Sequence, residues 1–123
     1  MQYFQPREFK HFDLMDAEFL RFLDAVRRRA NIAFRLTSDA RTPAHNATLS
    51  GASPTSLHLL GRAVDFVPAA WDREVLWRIV KAVIDESFDK SVELELVQGP
   101  TDKHIHLGLF PDNRPSRVVL NVT

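Results

Sequence analysis

From residue 104 to residue 109 the chain reads His104-Ile105-His106-Leu107-Gly108-Leu109, and no other stretch constrains the architecture more. In a strand, successive side chains point to opposite faces. His104 and His106 therefore share one face, about 7 Å apart along the strand. Ile105, Leu107 and Leu109 point the other way, into a core. Residues 92–98, 104–110 and 117–122 are the three β-like segments here, and Gly99-Pro100-Thr101-Asp102 and Pro111-Asp112-Asn113 separate them as turns.

Helices come earlier. Over residues 16–30, Phe19, Phe22, Leu23, Val26 and Ala30 recur at helical spacing. Asp16 supplies a cap, and Arg27, Arg28 and Arg29 suit the C-terminal end of the helix dipole. Ile32, Phe34 and Leu36 alternate with Ala33, Arg35 and Thr37, which predicts a strand. A second strand is predicted at 63–67. Residues 72–86 form the clearest helix, with Val75, Leu76, Ile79, Val80 and Val83 on one stripe behind Asp72. Helices first and strands later predict an α+β domain, its mainly antiparallel sheet packed by two principal helices. Between these elements, residues 38–56 show neither period. A loop that long inside a compact domain is functional or disordered.

The 123 residues suit one domain spanning 1–123, and 45% hydrophobic against 26% charged residues is ordinary globular usage. Sixteen basic residues balance sixteen acidic ones, which removes the electrostatic case for nucleic acid as partner. No run approaches the roughly 18 apolar residues of a membrane span, and the N-terminus lacks a signal-peptide core. The chain is expected to be soluble. With no cysteine, thiolate zinc sites, disulfides and a Cys nucleophile are excluded, leaving His and carboxylates as metal ligands.

Two segments break the ordinary pattern. Alternation over 63–67 puts Asp65 with Ala63 and Val67, opposite Val64 and Phe66. An ionised carboxylate there is costly without a cation or several donors. Arg62 or another arginine is one such partner. His58, seven residues upstream, is another group that a turn at Gly61 brings close. With the His104/His106 face, the two segments supply His, Asp and His, and leave a fourth tetrahedral position for water, the mark of a catalytic zinc.

The stretch from Ser56 to Asp65 reads S-x-H-x-x-G-x-A-x-D. It resembles the zinc-binding signature of the zinc D-alanyl-D-alanine carboxypeptidases and their phage endolysin relatives. The wider group includes lysostaphin-type peptidases and the hedgehog signalling domain. His104-Ile105-His106 resembles the group's H-x-H motif. Thr37-Ser38-Asp39-Ala40-Arg41-Thr42-Pro43-Ala44-His45-Asn46 resembles its S-x-x-R-[ST]-P-x-x-N stretch, and Tyr3-Phe4 with Glu8-Phe9 resembles the start of compact phage versions.

The resemblance implies that fold and one zinc ion on His58, Asp65 and His106. It implies that Arg41 polarises the scissile carbonyl or binds a substrate carboxylate, that Ser56 contacts substrate, and that His104 acts beside the metal. The implied activity is hydrolysis of D-amino-acid-containing bonds in peptidoglycan stem peptides, by a carboxypeptidase or an endopeptidase. The implied place of action is the cell wall, reached from the cytoplasm on release or from a phage particle. One position departs. Where the carboxypeptidases carry an acidic base, three before the ligand His, this chain has Lys103, with Asp102 one further back and Glu93 and Glu95 on the preceding strand. The base is then Asp102, the favoured residue, or His104 as in the lysostaphin-like members. A third outcome is a zinc-containing binding or virion-structural module with little turnover. His11 and His45 are read as lying outside the site, and Trp71 and Trp77 as core or surface anchors.

Overall fold

The computed structural model describes residues 1–50 and 52–123. Strands β1 (Phe34–Ser38), β2 (Ala63–Pro68), β3 (Val92–Gln98), β4 (Lys103–Leu109) and β5 (Arg117–Val122) form one sheet in the order β1-β2-β4-β3-β5. All pairings are antiparallel except β3 with β5. The sheet is therefore mixed and mainly antiparallel, within the expected α+β class.

Helix α1 (Ala17–Ala30) starts where the Asp16 carboxylate accepts the Phe19 N–H, and ends at Asn31 in the left-handed region. Helix α3 (Arg73–Glu86) starts where Asp72 accepts the Val75 N–H. Phe19, Phe22, Leu23 and Val26 of α1 and Ile79 and Val83 of α3 share one core with Val64, Phe66, Leu94, Ile105 and Leu107 of the sheet. Burying each such side chain is worth about 1.5–3 kcal/mol. That sum commits one sheet face to the helices. The opposite face keeps Asp65, Glu93, Glu95, His104 and His106, all half-buried.

Two details differ from the sequence expectation. Residues 38–56 are not structureless, since Pro43–Ala47 forms a short helix, α2, capped by the Thr42 hydroxyl. Pro43 at its first position is preset for a helix and has no N–H to leave unpaired. The first strand begins at Phe34 rather than Ile32, which packs partly buried against the core. The N-terminal segment is pinned by Asp24, whose carboxylate accepts the N–H groups of Gln2, Tyr3 and Phe4 at 2.8–3.0 Å. No helix among the described residues is long and apolar enough to cross a membrane.

Candidate metal centre

His58 sits in the 3-10 turn Leu57–Leu60, whose start is capped by the Ser56 hydroxyl accepting from the His58 N–H. The turn ends at Gly61, with φ of 66°. A Cβ at Gly61 would meet the Leu14 carbonyl oxygen at 2.1 Å, so both the positive φ and the close approach demand glycine. Below the turn lies Gly108 of β4, where a Cβ would stand 2.7 Å from Leu57 Cδ1. The glycine lets the His58 turn settle onto the sheet.

β2 and β4 pair with Asp65 opposite His106, so carboxylate and imidazole project side by side from adjacent strands. Asp65 Oδ1 lies 2.9 Å from His106 Nδ1 and 3.4 Å from His58 Nε2. Donor atoms from these three residues all lie within 4.8 Å of one another. The other nitrogen of His58, Nδ1, lies 2.8 Å from the Asp39 carbonyl oxygen. A carbonyl only accepts, so Nδ1 carries the hydrogen and Nε2 keeps its lone pair for the cluster.

Burial works against charge on both Asp65 and His106, yet their mutual contacts outweigh it. Asp65 is held well below the usual carboxylate range by His106 and His58. His106 is pushed up to about 9 by Asp65 and Glu93. The hydrogen bond to His106 also lowers Glu93, against the opposing effect of burial. The cluster is thus built to favour positive charge at its centre.

Arg41 joins the same cleft. Its guanidinium lies 3.9 Å from Asp65 Oδ2 and donates to Asn46 Oδ1 at 3.2 Å and Ser38 Oγ at 3.5 Å. Its backbone N–H donates to the His58 carbonyl. Ser56 and His104 also line this cleft of about 710 Å³. Asp102 is turned towards His104, with Oδ1 3.0 Å from Nδ1 and a side chain 68% exposed. Arg62, one candidate partner for Asp65, binds elsewhere: it donates to Asp16, Glu18 and the Leu109 carbonyl. The arginine beside Asp65 is Arg41.

The sequence reading missed Asp39, whose carbonyl orients His58, and left Glu93 with no part beyond being an acidic residue on β3. Glu93 Oε1 lies 2.7 Å from His106 Nε2. Asp39 was within reach of sequence reasoning, because it falls inside the stretch that carries Arg41. The Glu93 contact depends on strand order, which no local pattern reveals.

Residues 5–108 match the family described as peptidase M15. No curated protein matches the chain in sequence. Among solved structures, the L-Ala D-Glu endopeptidase ChiX of Serratia marcescens is similar, with a TM-score of 0.59 at 20% identity. The likeness covers 80% of this chain and 82% of that one, and it carries the fold.

Proposed function

Since the chain belongs to the M15 peptidase family, we propose that it is a zinc-dependent endopeptidase acting on D-amino-acid-containing stem peptides of peptidoglycan. The observation that carries this reading is the convergence of His58, Asp65 and His106, each with a donor atom within 4.8 Å of the others. Zinc bonds of about 2.1 Å in a tetrahedron put ligand atoms about 3.4 Å apart. The 3.4 Å between His58 Nε2 and Asp65 Oδ1 matches that spacing, and the 2.9 Å between Asp65 Oδ1 and His106 Nδ1 is a shorter, hydrogen-bonded separation. Two imidazoles with one carboxylate are a donor set zinc accepts. When bound, zinc supplies a Lewis acid for the carbonyl and lowers the pKa of a water to about 7.

The remaining steps belong to the chain's own residues. Arg41 offers a permanently charged fork, already oriented by Asn46 and Ser38, to the substrate carbonyl or carboxylate oxygen. His104 donates from Nδ1 to Asp102, which leaves Nε2 as the basic nitrogen. We assign to it the proton taken from the attacking water and passed to the leaving amine. Asp102 then orients His104 instead of acting as the base itself. The Ser56 hydroxyl caps the His58 turn and faces the cleft, where it is placed to contact substrate.

The shape of the cleft favours cleavage inside a peptide over trimming of its end. It shares Ser56 and Glu93 with a neighbouring hollow of about 790 Å³ bordered by Leu60, Phe110 and Arg114. It shares Asp65 and His104 with another hollow, lined by Arg35 and Lys103. A substrate chain can therefore extend on both sides of the cluster. The endopeptidase activity in the name of ChiX agrees. A second reading, a zinc-containing binding module, draws on the exposed Lys103 where an acidic base is expected.

Digestion of purified peptidoglycan separates the two. The endopeptidase reading predicts new amino termini within stem peptides, lost with chelator and restored by zinc. Full zinc occupancy without any muropeptide cleavage selects the binding module.

A further inference from the structure

Glu93 is a carboxylate in the cleft that hydrolysis as described leaves without a role. Its Oε1 lies 2.7 Å from His106 Nε2, and its Oε2 lies 3.5 Å from Arg117 Nη1. Register explains both contacts. Across the parallel β3–β5 pair, Glu93 stands opposite Arg117. Across β3–β4 it stands opposite Gly108, while Glu95 faces His106 directly. Gly108 offers no side chain to occupy Glu93, and a carboxylate reaches a diagonal neighbour on the same face. It is therefore Glu93 that His106 meets.

An imidazole has two nitrogens, and the hydrogen on one decides which is left to bind a cation. At His106, Nδ1 lies 2.9 Å from Asp65 Oδ1, whereas Nε2 is turned to Glu93. We infer that Glu93 is a positioning residue for the metal centre, accepting the Nε2–H of His106 so that the Nδ1 lone pair is directed at the ion. This role rests on the zinc reading of the site. It gives the two imidazoles opposite tautomers. His58 is held by a neutral carbonyl at Nδ1 and ligates through Nε2, whereas His106 is held by a carboxylate at Nε2 and ligates through Nδ1.

The choice of acceptor has a chemical consequence. A carboxylate behind a ligating imidazole fixes its orientation and raises its basicity. Arg117 holds the second oxygen of Glu93, which keeps the carboxylate from swinging to another partner. The chain of contacts thus runs Arg117, Glu93, His106, ion. Glu93 meets the ring edge away from the converging donor atoms, which makes it a support and not a proton acceptor for hydrolysis.

Zinc titration against a competing chelator tests this with wild type, Glu93→Ala and Glu93→Gln. Long-range proton–nitrogen NMR of the zinc-loaded proteins reads the tautomers. Glu93→Ala is expected to bind zinc roughly 10–100-fold more weakly and to lose the protected Nε2–H signal of His106. Glu93→Gln keeps an acceptor in nearly the same shape, so it retains that signal and an intermediate affinity. The Nδ1–H signal of His58 stays unchanged in both variants. Unaltered zinc affinity in Glu93→Ala, or zinc found on Nε2 of His106, overturns the role of Glu93 while leaving the zinc reading intact. A wild-type protein that binds no zinc overturns the zinc reading itself, and this role with it.

Discussion

His58 donates from Nδ1 to the carbonyl oxygen of Asp39 across 2.8 Å, while the carboxylate of Asp39 accepts the backbone N–H groups of Lys10 and His11 and lies 3.1 Å from His11 Nδ1. One buried residue at the end of β1 thereby ties the His58 turn to the N-terminal segment. His11, remote from the site by sequence pattern, reaches it through this residue.

Removing that carboxylate leaves the Lys10 and His11 N–H groups without an acceptor. Asp39→Ala is expected to lose about 1.5–3 kcal/mol of stability, the worth of hydrogen bonds to a charged acceptor, here a buried carboxylate. Asp39→Asn retains an acceptor and loses less. Urea unfolding in the presence of chelator measures both. A change within about 0.5 kcal/mol for Asp39→Ala, the range of an ordinary surface substitution, would remove Asp39 from the account.

The two glycines make contrasting predictions. At Gly61 an alanine meets strain of about 1–3 kcal/mol from its positive φ alone, and then a backbone clash with Leu14. Gly61→Ala is expected to be expressed poorly or to unfold far below the wild-type temperature. At Gly108 the added methyl meets the end of a leucine side chain, which can shift. Gly108→Ala is expected to fold, at a cost of about 1–3 kcal/mol for overpacking, but to bind zinc more weakly because Leu57 moves with His58. Equal zinc affinity in Gly108→Ala would contradict the packing argument.

Asp24 sets an acid limit that is independent of the site. Burial raises its pKa, but three backbone N–H donors from Gln2, Tyr3 and Phe4 lower it further than burial lifts it. A carboxylate with a depressed folded-state pKa stabilises fully above its unfolded value near 3.8 and loses that contribution as pH falls through the folded value. Acidification below about pH 4 should therefore loosen the N-terminal segment and expose Phe4. Asp24→Asn should be less stable at pH 7 and show a shallower acid transition. Hydrogen exchange of residues 2–4 as a function of pH reads this, and an acid limb identical to wild type would contradict it.

Much of the centre was legible because its geometry is local. Alternation over six residues separates His106 from Ile105 and Leu107, and the short interval from His58 to Asp65 leaves room for a single turn. The helices at 16–30 and 72–86 were legible from their stripes and their Asp caps. What escaped depends on pairing between distant strands. Glu93 looks like any solvated residue until β3 is set beside β4 and β5 beside β3. The same holds for β5, found at the expected residues but at the sheet edge, with Val118, Leu120 and Val122 exposed. Helix α2 escaped because five residues are too few for a period, although Thr42-Pro43 carried its start signal.

The division of labour proposed for Asp102 and His104 predicts unequal losses. His104→Ala should lower kcat/KM by about 10²–10⁴-fold, the usual contribution of a positioned proton acceptor. Asp102→Asn should cost less, because His104 keeps its basic nitrogen and loses only its charged partner. Rates on a defined stem peptide decide the matter. A dead Asp102→Asn beside an active His104→Ala would move the base to Asp102.

The ligand set itself is tested most directly by metal content, measured as zinc per chain by elemental analysis in the wild type, His58→Ala and His104→Ala. With His58, Asp65 and His106 as ligands, the wild type carries one zinc, His58→Ala carries none, and His104→Ala keeps its zinc. Zinc retained by His58→Ala, or lost from His104→Ala, would contradict the assignment.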